Sequence, residues 1–151
     1  MYDRSADVST PRVFVIEDNP ADIRLMKEGV DTAGIDLDLE VINNGQQAID
    51  QLTAIGADTT EDHPDLILLD LNLPNRSGFE VLAAIRNETA FQTAPVVIIS
   101  SSENREDVTQ AYESSANAYV TKPADPDEYI QMVDATVEFW ITNATPSPTN
   151  E

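Results

Sequence analysis

Asp65-Leu66-Ile67-Leu68-Leu69-Asp70 is a run of four apolar residues bounded on both sides by carboxylates. A short apolar run between turn signals reads as a strand buried on both faces, as in a parallel sheet. Asp70 then stands where the strand surfaces. Open α/β sheets bind ligands in the crevice at the carboxyl ends of their strands, which makes an acid at that point a candidate for chemistry. The next segment, Leu71-Asn72-Leu73-Pro74-Asn75-Arg76-Ser77-Gly78, contains Pro74 and Gly78, so it leaves the strand as a loop rooted at Asp70.

Working outward, three more runs have the same character. Val13-Phe14-Val15-Ile16 ends in Glu17-Asp18, Val96-Val97-Ile98-Ile99 ends in Ser100-Ser101-Ser102, and Ala118-Tyr119-Val120-Thr121 is closed by Lys122-Pro123. Leu37 to Ile42 alternates apolar with acidic residues and reads as a half-exposed edge strand. Helices are predicted between them. Asn19 offers an N-cap and Pro20 suits the first helical position, with Ile23, Met26 and Val30 on one face. Ala48, Ile49, Leu52 and Ile55 give a second amphipathic stretch. Ser77 and Glu80 form a capping-box pattern ahead of Val81, Leu82 and Ile85. A weakly apolar helix is expected over about Asn104 to Ser115, through Val108, Ala111 and Tyr112. The last begins at Asp125-Pro126, with Ile130, Val133, Val137 and Trp140 or Ile141 as its core stripe and Tyr129, Met132 and Phe139 as a second, outer stripe. Strands alternating with helices predict right-handed crossovers and an α/β fold, a doubly wound five-stranded parallel sheet.

A chain of 151 residues suits one domain, read here as 11–143 between flexible segments at 1–10 and 144–151. The net charge of −20 argues against nucleic acid and anionic membranes as partners, because both repel such a surface. Only Lys27 and Lys122 are lysines, a composition similar to that of proteins from salt-loving organisms. Without cysteine there is no disulfide framework or thiol chemistry, and no apolar run approaches a membrane span, so a cytoplasmic location is expected.

If the strands are all parallel, their carboxyl ends share one edge, and Glu17, Asp18, Asp70, Ser100 and Lys122 gather there. Carboxylates held together repel unless a cation neutralises them, and hard oxygen donors suit Mg²⁺ completed by water and phosphate oxygens. A hydroxyl and an ammonium opposite a carboxylate are the donors a phosphoryl group needs, with Asp70 as the nucleophile. Taken singly these signals are plain. The chain has four adjacent acidic pairs, Glu17-Asp18, Glu61-Asp62, Glu106-Asp107 and Asp127-Glu128, and one such pair by itself is solvated surface. Ser100 alone would serve as a strand-end hydroxyl for backbone groups, and His63 is assigned no role. The coincidence of each residue with a strand end is what selects them.

The segments Val-Phe-Val-Ile-Glu17-Asp18-Asn-Pro, Asp-Leu-Ile-Leu-Leu-Asp70-Leu-Asn-Leu-Pro, Pro-Val-Val-Ile-Ile-Ser100 and Ala-Tyr119-Val-Thr-Lys122-Pro123 resemble, in order and spacing, the CheY-like receiver domain of response regulators. The resemblance implies a flavodoxin-like (βα)5 fold with strand order 2-1-3-4-5. It implies that Glu17, Asp18, Asp70 and the Asn72 backbone carbonyl hold Mg²⁺, and that Asp70 accepts a phosphoryl group from a sensor histidine kinase. It further implies that Ser100 and Lys122 contact the phosphoryl oxygens and that Ser100 and Tyr119 form the switch. The Asn-Pro-Ala-Asp-Ile-Arg-Leu segment, the serine triplet and Val-Glu-Phe139-Trp140 are most similar to stand-alone regulators of phytochrome-like sensor kinases. A homodimer through the face of the fourth helix, fifth strand and fifth helix is expected from the outer stripe. Two rival readings fit the residues less well. A phosphatase working through an aspartyl phosphate would resemble Asp-x-Asp, and Asn72 stands at the second position, unable to act as a general acid. An adaptor that is never phosphorylated would have no need of the acid, hydroxyl and lysine set.

Overall fold

The computed structural model describes residues 10–58 and 62–143. The terminal segments expected at 1–10 and 144–151 therefore fall, except for Thr10, outside the described residues, as does Glu61 of the second acidic pair. Five strands, β1 (Arg12–Ile16), β2 (Asp38–Ile42), β3 (Leu66–Leu69), β4 (Val96–Ser100) and β5 (Ala118–Thr121), alternate with five helices. The helices are α1 (Pro20–Ala33), α2 (Gly45–Thr53), α3 (Gly78–Glu88), α4 (Arg105–Glu113) and α5 (Pro126–Glu138), and α5 runs on into a π-helical turn, Phe139–Asn143. All strand pairings are parallel, in the order β2-β1-β3-β4-β5.

Local sequence accounts for the helix starts. Asn19 Oδ1 accepts from the amides of Ala21 and Asp22 with Pro20 at the first helical position, and Ser77 and Glu80 exchange the reciprocal bonds of a capping box. α4 is shorter than expected. It runs from the Asn104 cap to Glu113, and the chain leaves it through Ser115 in the left-handed region at φ 72°. Its predicted inward Tyr112 is half exposed, and its hydroxyl instead accepts from the amide of Tyr119.

Strand alternation sorts the core into two layers. Phe14, Ile16, Ile67, Leu69, Val96 and Ile98 pack against α2, α3 and α4, while Val13, Val15, Leu66, Leu68, Val97 and Ile99 pack against α1 and α5. The expected stripe of α5 needs correction. Tyr129, Val133 and Val137 are the buried positions, Ile130 is only half buried, and Met132 also packs on the core; of the predicted outer stripe Phe139 alone is exposed. The reason is the close approach of α1, where a Cβ on Gly29 would lie 2.6 Å from Val133 Cβ. The seam between the two helices is therefore centred on Val133, and Tyr129 and Val137 flank it one turn away on each side.

At the amino-terminal end of the sheet, Arg86 of α3 ties several loops together. Its guanidinium donates to the carbonyls of Gln92, Ala94 and Ser115 and to Asn117 Oδ1, which in turn accepts from the Val96 amide. Burial lowers the pKa of Arg86, and the surrounding carbonyls satisfy its donors.

Replacing a glycine inside a helix by alanine ordinarily stabilises it by about 1 kcal/mol. For Gly29→Ala we expect the opposite sign, a loss of about 1–3 kcal/mol from overpacking against Val133, read from denaturant melts. A stabilised variant would show that α1 and α5 are further apart than described.

Candidate functional site

The strand register brings the site residues together. Ile16 pairs with Ile42 and Leu69, and Ser100 with Thr121, so the next residue along each strand emerges at the same edge. The ladders continue into these residues: the amides of Glu17, Asp70 and Lys122 donate to the carbonyls of Ile42, Ile16 and Ser100 at 3.0, 3.0 and 2.8 Å. Their backbones are fixed before their side chains meet. The loop after Asp70 folds tightly back on it, since the Gly78 amide donates to Leu71 O and a Cβ on Gly78 would lie 2.4 Å from the Asp70 carbonyl oxygen. Only glycine fits there.

The carboxylates of Glu17, Asp18 and Asp70 each place an oxygen within 4.8 Å of the others. Glu17 and Asp70 are buried and Asp18 is exposed. Lys122 Nζ stands 2.9 Å from Glu17 Oε1, 2.7 Å from Asp22 Oδ2 and 3.6 Å from Asp70 Oδ1. These residues, with Asn72 and Ser101, line an open cleft of about 370 Å³.

Burial raises the Glu17 carboxyl to about 7; the bond from Lys122 opposes this, and the neighbouring Asp70 charge adds to it. Asp70 is likewise raised by burial, with Lys122 and the amides of Asn72 and Leu71 pulling the other way. Burial disfavours the Lys122 ammonium, but its contacts with Asp22, Glu17 and Asp70 outweigh this and raise it. Three carboxylates thus face one ammonium with Asp18 beside two of them, and the site holds more acidic groups than that one cation balances. The donors are all hard oxygens, and one acid opens to solvent. That set fits a small divalent cation, with Glu17, Asp18 and Asp70 as the residues able to hold it.

Strand parity places Ser100 and Tyr119 elsewhere. Along β4 and β5 they fall on the α2, α3 and α4 side, whereas Ser101 falls on the cleft side and lines it. Ser100 is fully buried, and its Oγ accepts from the Ser102 amide at 3.2 Å. Tyr119 donates its hydroxyl to the Ser102 carbonyl at 2.8 Å, and Ser102 Oγ donates to Asp107 Oδ2 of α4 at 2.7 Å. Ser100 and Tyr119 are therefore connected through the backbone of Ser102.

Two residues at the site are not assigned to it by the sequence, which offers Tyr129 only as part of an outer stripe. Asp22 is the closest partner of Lys122, and its only signal was an acid in the first turn of a helix. Tyr129 lies beneath the cluster; burial raises its pKa, and the charges of Asp22, Glu17 and Asp70 add to the effect. Among the described residues its hydroxyl has no hydrogen-bond partner.

Comparison with known proteins agrees with this geometry. The response regulator receiver domain matches residues 13–134. Response regulator Rcp1 of Synechocystis sp. is 37% identical over 142 residues, 93% of this chain and 97% of that protein. The crystal structure of the phosphorylated cyanobacterial phytochrome response regulator RcpA superposes with a TM-score of 0.83 at 37% identity, covering 91% of this chain and 99% of that one. The Mn²⁺-bound form of Rcp1 superposes with a TM-score of 0.81 at 36% identity, over 91% and 99% of the two chains. By sequence and by architecture, the chain belongs to the response regulator receiver domain family, the signalling modules of two-component systems.

Proposed function

We propose that this receiver, taken as residues 11–143, accepts a phosphoryl group on Asp70 from a sensor histidine kinase, with Mg²⁺ as the resident cation. The observation that carries the reading is the meeting of Glu17, Asp18 and Asp70 within 4.8 Å, with the Lys122 ammonium beside them. A kinase of phytochrome type is the proposed donor, on the strength of the likeness to RcpA and Rcp1. A cytoplasmic location agrees with that partner, and among the described residues no helix is long and apolar enough to cross a membrane.

In the transfer an Asp70 carboxylate oxygen attacks phosphorus in line with the donor nitrogen; the phosphorus–nitrogen bond breaks as the phosphorus–oxygen bond forms. Glu17, Asp18, Asp70 and the Asn72 carbonyl would hold Mg²⁺, which when bound would neutralise charge on the transferring oxygens. Lys122 donates to one of those oxygens from the other side of the cleft. Ser100, whose Oγ accepts from the Ser102 amide on the far side of the sheet, turns toward the cleft to donate its hydroxyl to the phosphoryl, and the Ser102 backbone carries that movement to Tyr119 and α4. The signal is thus a change in the partner affinity of the α4, β5 and α5 face. Attack of water on the same phosphorus returns Asp70 to its carboxylate. Homodimerisation through this face is supported by the exposed Tyr112 and Phe139.

Incubation with acetyl phosphate and Mg²⁺ is expected to add one phosphoryl group by intact mass, and Asp70→Asn to abolish the gain; an equal gain in the variant would overturn the assignment. Glu17 carries a proton below about pH 7 in the folded chain and must lose it to hold a cation. Mg²⁺ affinity measured by calorimetry should therefore weaken about tenfold from pH 8 to pH 6, the linkage of one proton, and a flat profile would remove Glu17 from the metal set. The sign for folding is the reverse. Because the Glu17 pKa lies above its unfolded value of 4.5, its contribution to metal-free stability is largest below that value and is lost as pH rises through about 7. For the dimer, sedimentation should give a mass that rises with concentration, and a constant monomer mass would exclude it.

A further inference from the structure

The present contacts of Lys122 differ from those its proposed role requires. An ammonium has three protons to donate. Here the short contacts go to Asp22 at 2.7 Å and Glu17 at 2.9 Å, while Asp70 stands at 3.6 Å, beyond hydrogen-bond reach. The shortest of the three contacts is therefore made to Asp22, which is not part of the Glu17, Asp18 and Asp70 cluster.

The backbone of Asp22 is held in place. Its amide donates to Asn19 Oδ1 in the capped first turn of α1, and Pro20 holds the backbone just before it. Drawing the ammonium toward a phosphoryl oxygen on Asp70, now 3.6 Å away, therefore lengthens and weakens its contact with Asp22, whose backbone stays with α1. Glu17 and Asp70 lose much of their pull on Lys122 once a dication neutralises them. Asp22 lies outside that set and retains its charge. It becomes the principal competitor for Lys122 in the loaded site. The pair is largely shielded, with side-chain exposures of 11% for Lys122 and 22% for Asp22, so solvent screens the attraction only in part.

We propose that Asp22 is a positioning residue that parks the Lys122 ammonium in the resting receiver and competes for it with the phosphoryl oxygens carried by Asp70. This inference rests on the roles given above to Asp70 and Lys122. It adds a resting state to them: the lysine is withheld from the reaction by an α1 carboxylate, and phosphorylation both recruits the lysine and unties β5 from the start of α1.

The experiment compares the rate of phosphoryl gain from acetyl phosphate with Mg²⁺, by intact mass, in the wild-type chain, Asp22→Asn and Asp22→Glu. Asp22→Asn keeps the shape and removes the charge, and is expected to react about fivefold faster, the factor expected for the upper range of partly exposed ion pairs. Asp22→Glu restores the charge and is expected to return the rate toward wild type. Equal rates in wild type and Asp22→Asn, or the same acceleration in both variants, would overturn the inference. A second readout needs no variant. In the wild-type chain the ε-methylene signal of Lys122 in carbon–proton correlation NMR is expected to move on phosphorylation, and a signal that stays put while Asp70 is phosphorylated overturns parking by itself. The failures are distinguishable: a wild-type chain that gains no phosphoryl sinks the reading of the site, whereas one that gains it on Asp70 without a response from Lys122 sinks this inference alone.

Discussion

The structure depends on like charges that the backbone does not allow to separate. Glu17 and Asp70 each continue a ladder of parallel strands, and the amide of one follows the strand whose neighbour presents the other. The hydrogen bonds that make the sheet therefore force two buried carboxylates into a single crevice, in surroundings where their repulsion is strong. Neutralisation is the remaining relief. Lys122 supplies part of it, protonation of Glu17 near neutral pH supplies another part, and a dication suits what is left. The cost of holding these groups together is met by a core of Val, Ile, Leu and Phe runs on both faces of the inner strands.

Much of this was legible in the chain. Four-residue apolar runs, each followed by a polar residue with chemistry to offer, set out the parallel sheet and its functional edge. Asn19-Pro20 and Ser77 with Glu80 are helix starts with known mechanics, and the structure contains both. The failures have physical causes. Asp22 looked like any acid in a first turn, because helix amino termini favour such residues whatever lies opposite. Its partner is one hundred residues away, and no local pattern carries that distance.

The α5 stripe was ambiguous for a different reason. Ile130 and Tyr129 both began plausible apolar faces, and the choice between them is made by α1, where the absence of a side chain on Gly29 lets Val133 come close. The serine triplet posed a question of phase. Three consecutive hydroxyls end one strand, and only the alternation of β4 decides that Ser101 looks into the cleft while Ser100 turns to the opposite layer. Arg86 gave no sign of its structural task, because all its partners but the Asn117 side chain are backbone carbonyls, which sequence does not distinguish.

That phase has an outcome for how such a molecule diversifies. The sheet acts as a partition, with the acids and the lysine in one compartment and the Ser100, Ser102 and Tyr119 linkage in the other. The two are linked by the short loop at the end of β4 and by β5, which carries Tyr119 on one side and leads into Lys122 on the other. Side chains on the outer surface of α4 touch none of the groups that handle charge, so a change among them alters what the molecule meets and leaves the acids and the lysine where they stand.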